Sequence, residues 1–172
     1  MNNDKAAFVA DMERKFGSDE ALGVYYTLET DDVRMTWAEV QARYGHLGDD
    51  GPGIISCLPT GGSACCCTEY AQLIYLTLPG RVQIFGFANE DNPLSRVARE
   101  ELHPGGHDFA VVDGRYIVDP WPRLVHGTYD KMVHDLEDPA DAEEALDFFG
   151  PRSCWKHMDL AEDYAKTQRL DA

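Results

Sequence analysis

The sequence predicts an α+β fold, with helices packed against a small antiparallel sheet. Three observations predict it. Apolar residues recur at helical spacing in several separate segments, two short β-type runs flank the dipeptide Asp113-Gly114, and no internal repeat or low-complexity tract interrupts the 172 residues. That length fits one domain, spanning 1–172, with a core at about 50–125 and helical extensions at 1–46 and 128–170.

The first helix is predicted from Ala7, Phe8, Met12 and Phe16, with Asn3 or Asp4 as its cap and Gly17-Ser18 as its end. Gly23 to Leu28 reads as a short extended piece. Thr36-Trp37-Ala38-Glu39 has the capping-box pattern, in which the Thr and Glu side chains bond each other's backbone N–H, and opens a second helix to about Tyr44. From Gly45 to Ser63 the dominance of Gly, Pro, Asp and Ser predicts a surface loop. Cys67 to Leu78 is apolar and periodic, and Pro79-Gly80 closes it as a helix; Arg81 to Ala88 follows as a strand.

Asn92-Pro93 starts a short helix to about Leu102, and two runs follow, His107 to Val112 and Arg115 to Val118. Asp113-Gly114 between them is a tight-hairpin signal, because its left-handed positions suit Asp and Gly. Beyond Thr128 the pattern predicts helices around Tyr129 to Leu136, Ala140 to Phe149, and Met158 to about Arg169.

Composition narrows the function classes. The net charge of −16, from 31 acidic and 15 basic side chains, opposes the phosphate contacts that dominate nucleic-acid affinity. Nucleic acid is therefore not an expected partner. No 18-residue apolar run is present, so no membrane span is expected, and the N-terminal stretch lacks the basic and continuous apolar regions of a secretory signal. The expected location is the cytoplasm. Five cysteines, three of them adjacent at Cys65, Cys66 and Cys67, suit reduced thiols better than a disulfide framework. For structural zinc the only candidate pair is Cys154 and His157, with Cys57 a distant third, and no metal is expected.

The chemistry concentrates on three residues. Cys67 stands where a Gly-rich loop meets a helix N-terminus, whose unbonded N–H groups and positive dipole end favour a thiolate. A cysteine nucleophile also needs a base, and the base needs an orienting group. His107 opens the first hairpin strand and Asp119 closes the second. Counting outward from the turn, 113 − 107 = 6 and 119 − 114 = 5, so the two are expected to lie nearly opposite. Proximity is thus implied by local pairing.

These residues resemble the transglutaminase-like, papain-related superfamily. In that family a Cys begins a helix with a small residue four positions on, as in Cys67-Thr-Glu-Tyr-Ala71. A strand like Arg81 to Gly86 follows; the His then begins a strand and the Asp ends the next in an Asp-Pro pair, as in the run from His107 to Trp121. The resemblance covers about 60–122 and implies Cys67 as nucleophile, His107 as general base and acid, and Asp119 as orienting carboxylate. Where the family commonly has Trp after the His, this chain has Asp108. Arylamine N-acetyltransferases are similar more loosely, through Cys67-Thr-Glu69 after Gly61-Gly62.

Cys66 is the neighbouring candidate nucleophile, and the family offset selects Cys67. Trp121 either walls a substrate cleft or fills the core. His103 and His126 read as surface residues, and the backbone N–H of Cys67 is the natural first oxyanion donor, with a second open between the Ser56–Ala64 loop and Gln41.

The expectation is a cysteine-nucleophile acyl-transfer enzyme acting on an amide or peptide bond of a peptide, protein or small amide: a cysteine protease, amidase or deamidase, or transglutaminase-like enzyme. No cofactor is required. The competing expectation is a catalytically silent acidic binding or inhibitor protein with the same fold, motivated by the charge.

Overall fold

The computed structural model describes residues 3–127 and 129–159, and these form an α+β structure with two antiparallel sheets. In chain order the elements are α1 (Asn3–Phe16), α2 (Asp19–Leu22), β1 (Tyr25–Leu28), β2 (Asp31–Met35), α3 (Trp37–Tyr44), β3 (Ile54–Cys57), α4 (Cys67–Thr77) and β4 (Val82–Ala88). There follow α5 (Arg96–Arg99), β5 (Gly106–Val112), β6 (Tyr116–Val118), α6 (Trp121–Leu124), β7 (Val133–Asp135), α7 (Pro139–Phe149) and β8 (Lys156–Met158). The larger sheet has the order β7-β6-β5-β4-β8, the smaller β2-β1-β3. Among the described residues no helix is long and apolar enough to cross a membrane.

Strand alternation divides the core across the larger sheet. One face presents Val82, Ile84, Ala110, Val112 and Val118 to α4, through Tyr70, Ala71 and Ile74, and to Met12 and Phe16 of α1. The other presents Phe87, Phe109, Val111 and Ile117 to Phe148 and Phe149 of α7. Each such aromatic or branched side chain contributes about 1.5–3 kcal/mol when fully buried. The central strand β5 is covered on both sides, which is why its sequence is apolar without clear alternation.

Local signals are realised where local chemistry suffices. The capping box of α3 forms, with Glu39 N–H donating to Thr36 Oγ1 at 3.2 Å and Thr36 N–H to Glu39 Oε2 at 2.7 Å. Asp138 caps α7, whose first residue is Pro139. Met12 and Phe16 carry α1 into the core, as its spacing predicts.

Elsewhere pairing overrides composition. The expected loop 45–63 contains a 3₁₀ turn at Gly45–Asp50 and the strand β3, which pairs with β1 from Tyr25 opposite Cys57 to Leu28 opposite Ile54. Ile54 and Ile55, fenced by Gly and Pro, are too short a run to signal a strand without that partner. The expected helix at 129–136 is instead β7 at Val133–Asp135, paired to β6 and buried at every position; its buried His134 and Asp135 break the apolar pattern by which a covered strand is read. The segments 1–46 and 128–170 are therefore not purely helical extensions: they supply β1, β2, β7 and β8. The helix expected up to Leu102 shortens to α5, capped by Ser95. Met158 ends β8, and the expected helix from residue 160 onward lies outside the described residues.

The hairpin differs by one residue, with large consequences. Asp113 and Gly114 are both left-handed, at φ 53° and 66°, and the Arg115 N–H closes the turn onto the Val112 carbonyl at 3.1 Å. The strands, however, pair Val112 with Tyr116 and Ala110 with Val118, so the connection holds three residues. In that register the position after Val118, Asp119, falls across from Phe109 and shares a face with His107. A two-residue connection would have set Asp119 across from Asp108, on the opposite face. Arg115, the extra residue, is fixed from outside the hairpin: its guanidinium binds Asp135 of β7 at 2.7 and 2.6 Å, and its carbonyl accepts from Leu136 N–H.

Candidate active site

The buried centre of the site is a histidine–carboxylate pair. His107, at the start of β5, and Asp119, just past β6, are both almost fully buried, and Nε2 of the imidazole lies 2.6 Å from Asp119 Oδ2. Asp119 Oδ1 accepts the Trp121 N–H at 3.2 Å, and the Asp119 N–H donates to the Met132 carbonyl, so backbone and ring together hold the carboxylate in one orientation. The imidazole packs among aromatic rings, with centroids 4.7 Å from Trp121, 5.9 Å from Phe149 and 6.2 Å from Phe87. That surrounding allows the ring little freedom.

Burial by itself pushes the His107 pKa down, but the charge and hydrogen bond of Asp119 overcome it, and Cys67 adds a further contribution as hydrogen-bond partner and charge; the result is a pKa raised to about 10. The second ring nitrogen, Nδ1, is buried and has no hydrogen-bond partner of ordinary geometry among the described residues. An unsatisfied buried imidazole nitrogen is costly, and a catalytic role is one reason for such an atom to persist.

Cys67 is the first residue of α4, with Cys66 as the residue that caps it. Cys67 is buried and lines a cleft of about 380 Å³ together with Thr68, His107 and Asp108; Cys66 does not line it. The N–H groups of a first helical turn have no intrahelical acceptor, so the Cys67 and Thr68 amides are free to face an anion. The Tyr70 hydroxyl donates to the Ala64 carbonyl at 2.9 Å, tying the preceding loop to the helix.

Four of the five residues singled out from the sequence thus come together: Cys67, His107, Asp119 and Trp121, with Cys66 one residue outside the cleft. Trp121 fills the core rather than walling the cleft, and its Nε1 donates to the Cys65 carbonyl at 2.9 Å, joining the end of β6 to the cysteine loop. His103 and His126 are not plain surface residues: both are half-buried and stand edge-on to Trp121, at 6.0 and 4.4 Å. Burial lowers the His126 pKa, with smaller contributions from His107 and His103. Nothing in the local sequence signals this, since the Trp121 ring gathers them from two separate loops.

Gln41 lies on the exposed face of α3, its amide oxygen folded toward Gly45, so it offers the cleft no oxyanion donor. All five cysteines are free thiols. Cys57, Cys154 and His157 are not gathered, and among the described residues no group of three His, Cys, Asp or Glu side chains is placed to hold a metal ion.

A further residue of the site, not placed by the sequence, is Asp108. It lines the cleft and accepts a 2.5 Å hydrogen bond from Thr68 Oγ1, joining β5 to the first turn of α4. Its signal was the departure from Trp at that position. Compared with protein-family models, curated proteins and solved structures, the chain matches none.

Proposed function

We propose that the chain is a cysteine-nucleophile acyl-transfer enzyme with a transglutaminase-like fold, in which Cys67 attacks an amide or ester carbonyl. One observation carries the reading: a buried His107–Asp119 pair whose remaining ring nitrogen is unsatisfied, beside a thiol at a helix N-terminus that opens onto a cleft. With Nε2 held by Asp119, Nδ1 is the nitrogen left to exchange a proton with the thiol. A protonated imidazole and the helix dipole both stabilise a neighbouring thiolate.

Attack of the thiolate on the carbonyl carbon gives a tetrahedral oxyanion, for which the Cys67 N–H is the first donor. His107 passes its proton to the leaving amine as the C–N bond breaks, leaving an acyl-thioester. Water, deprotonated by the now neutral imidazole, releases the acid; an amine in its place gives transamidation. Hydrolysis is the preferred outcome, because water is the default acceptor. None of these steps calls on a metal or organic cofactor.

The competing reading, an acidic binding or inhibitor protein that uses the same fold without turnover, rests on the charge of −16 alone. Thiol labelling separates the two. Iodoacetamide at pH 6 is expected to modify Cys67 at least tenfold faster than a free thiol, and His107→Ala is expected to abolish the difference. If Cys67 reacts no faster than free cysteine and His107→Ala changes nothing, the catalytic reading is lost and the binding reading stands.

A further inference from the structure

The geometry of the cleft points to its substrate class: we infer that Asp108 selects acyl compounds that carry a cationic or amine group next to the reacting carbonyl. The inference rests on the catalytic reading of Cys67. Asp108 directly follows His107, yet strand alternation turns it to the other face of β5, into the cleft that Cys67 and Thr68 line. One carboxylate therefore orients nothing in the His107–Asp119 pair and faces the nucleophile's own cleft.

Its environment is unusual for an acid. Oδ2 accepts the Thr68 hydroxyl, and Oδ1 lies directly over Gly86, opposite Asp108 on β4, where an added Cβ would stand only 2.0 Å from it. Gly86 leaves room for the carboxylate where a side chain would push it aside. Thr68 is the only hydrogen-bond partner Asp108 has among the described residues, and it has no cationic partner there. Lys156, which lines the same cleft, is already paired with Asp91. A half-buried carboxylate with one neutral hydrogen bond keeps acceptor sites open and its charge uncompensated.

Apart from His103 and from Lys156, the rest of the wall is plain: Gly86, Ala88, Gly105 and Gly106 carry no functional group, and Phe87 and Met158 are apolar. A cation or amine brought by the substrate would supply what the carboxylate lacks. The overall charge of −16 works in the same direction, raising the local concentration of cations around the molecule. Anionic substrates meet repulsion at both ranges.

The test uses the full chain and two thiol reagents of opposite charge, 2-aminoethyl and 2-sulfonatoethyl methanethiosulfonate. In each the thiolate attacks the sulfenyl sulfur and expels methanesulfinate, forming a mixed disulfide. Rates at Cys67, resolved from the adjacent Cys65 and Cys66 by fragment-ion mass spectrometry and from Cys57 and Cys154 by peptide, give a cation-to-anion ratio. Asp108→Asn removes the charge at nearly constant shape, and the ratio is expected to fall at least fivefold. The net charge of the molecule changes by only one in sixteen, so a drop of that size reads the local carboxylate.

Gly86→Ala, whose methyl displaces the carboxylate, is read the same way should Asp108→Asn lose its fold by circular dichroism. A ratio within twofold of wild type in the folded variant overturns the inference. That failure is distinct from failure of the catalytic reading, which shows as ordinary Cys67 reactivity toward neutral iodoacetamide and no effect of His107→Ala, whatever the ratio.

Discussion

Replacing Asp119 by Asn tests the buried pair directly, because it keeps a hydrogen-bonding oxygen near His107 and removes only the charge. At the observed 2.6 Å, and at an effective dielectric of about 20, the attraction between imidazolium and carboxylate is roughly 6 kcal/mol. At 1.36 kcal/mol for each tenfold change, that is more than four powers of ten in proton affinity. It is the contribution that lifts His107 to about 10 against burial. Without it burial dominates, and the His107 pKa in Asp119→Asn is expected below its ordinary 6.5, leaving the ring neutral at pH 7. Histidine ring titration by ¹⁵N NMR measures this.

Two consequences follow in the same variant. Iodoacetamide labelling of Cys67 at pH 6 is expected to slow by about ten- to a hundredfold, since the ring loses both its charge and its fixed orientation. Stability also changes its pH dependence. A folded-state pKa raised from 6.5 to about 10 stabilises the fold fully below 6.5, and that stabilisation is lost as pH rises toward 10. Urea unfolding across pH 6 to 10 is expected to show the alkaline decline in wild type and to lack it in Asp119→Asn. A His107 that still titrates above 8 in the variant would refute the reasoning, because among the described residues no other carboxylate is bonded to it.

Two further outcomes are expected. Gly106→Ala should cost at least about 2 kcal/mol by urea unfolding, because φ is 145° there and the new Cβ would lie 2.0 Å from the Phe87 carbonyl oxygen; a loss under 0.5 kcal/mol would mean that β5 starts otherwise. His134, buried on β7 with Nε2 3.0 Å from the Tyr129 hydroxyl, has its pKa lowered to about 4 chiefly by burial, with a smaller push from Lys131. A base neutral when folded and protonated when unfolded loses stability as pH falls from 6.5 to 4, on the order of 3 kcal/mol, and His134→Gln should flatten that limb in unfolding experiments.

Much of the candidate site was legible because its signals are local. Thr36 and Glu39 close a capping box within four residues, Asp113 and Gly114 take the left-handed angles their chemistry allows, and the apolar period from Cys67 becomes α4 at the expected residue. A helix terminus and a hairpin are decided by neighbours in the chain, so residue type and spacing suffice to put Cys67 at a helix start and His107 near Asp119, while the family resemblance alone implied that the two belong to one site. What spacing could not supply was the side of the sheet. Counting across a two-residue turn makes His107 and Asp119 neighbours but turns their side chains to opposite faces.

The third turn residue, Arg115, reverses that, and it is held by Asp135 and Leu136 of β7, a strand that reads as a helix in isolation. Edge strands such as β3 and β7 exist only because a partner bonds them, and a partner distant in sequence leaves no periodic trace. The same holds for Trp121 gathering His103 and His126, and for Gly86 making room for Asp108. By itself the sequence determined which residue types meet at a helix start and a hairpin's ends; tertiary pairing alone decided their faces, because one residue of register inverts every side chain on a strand.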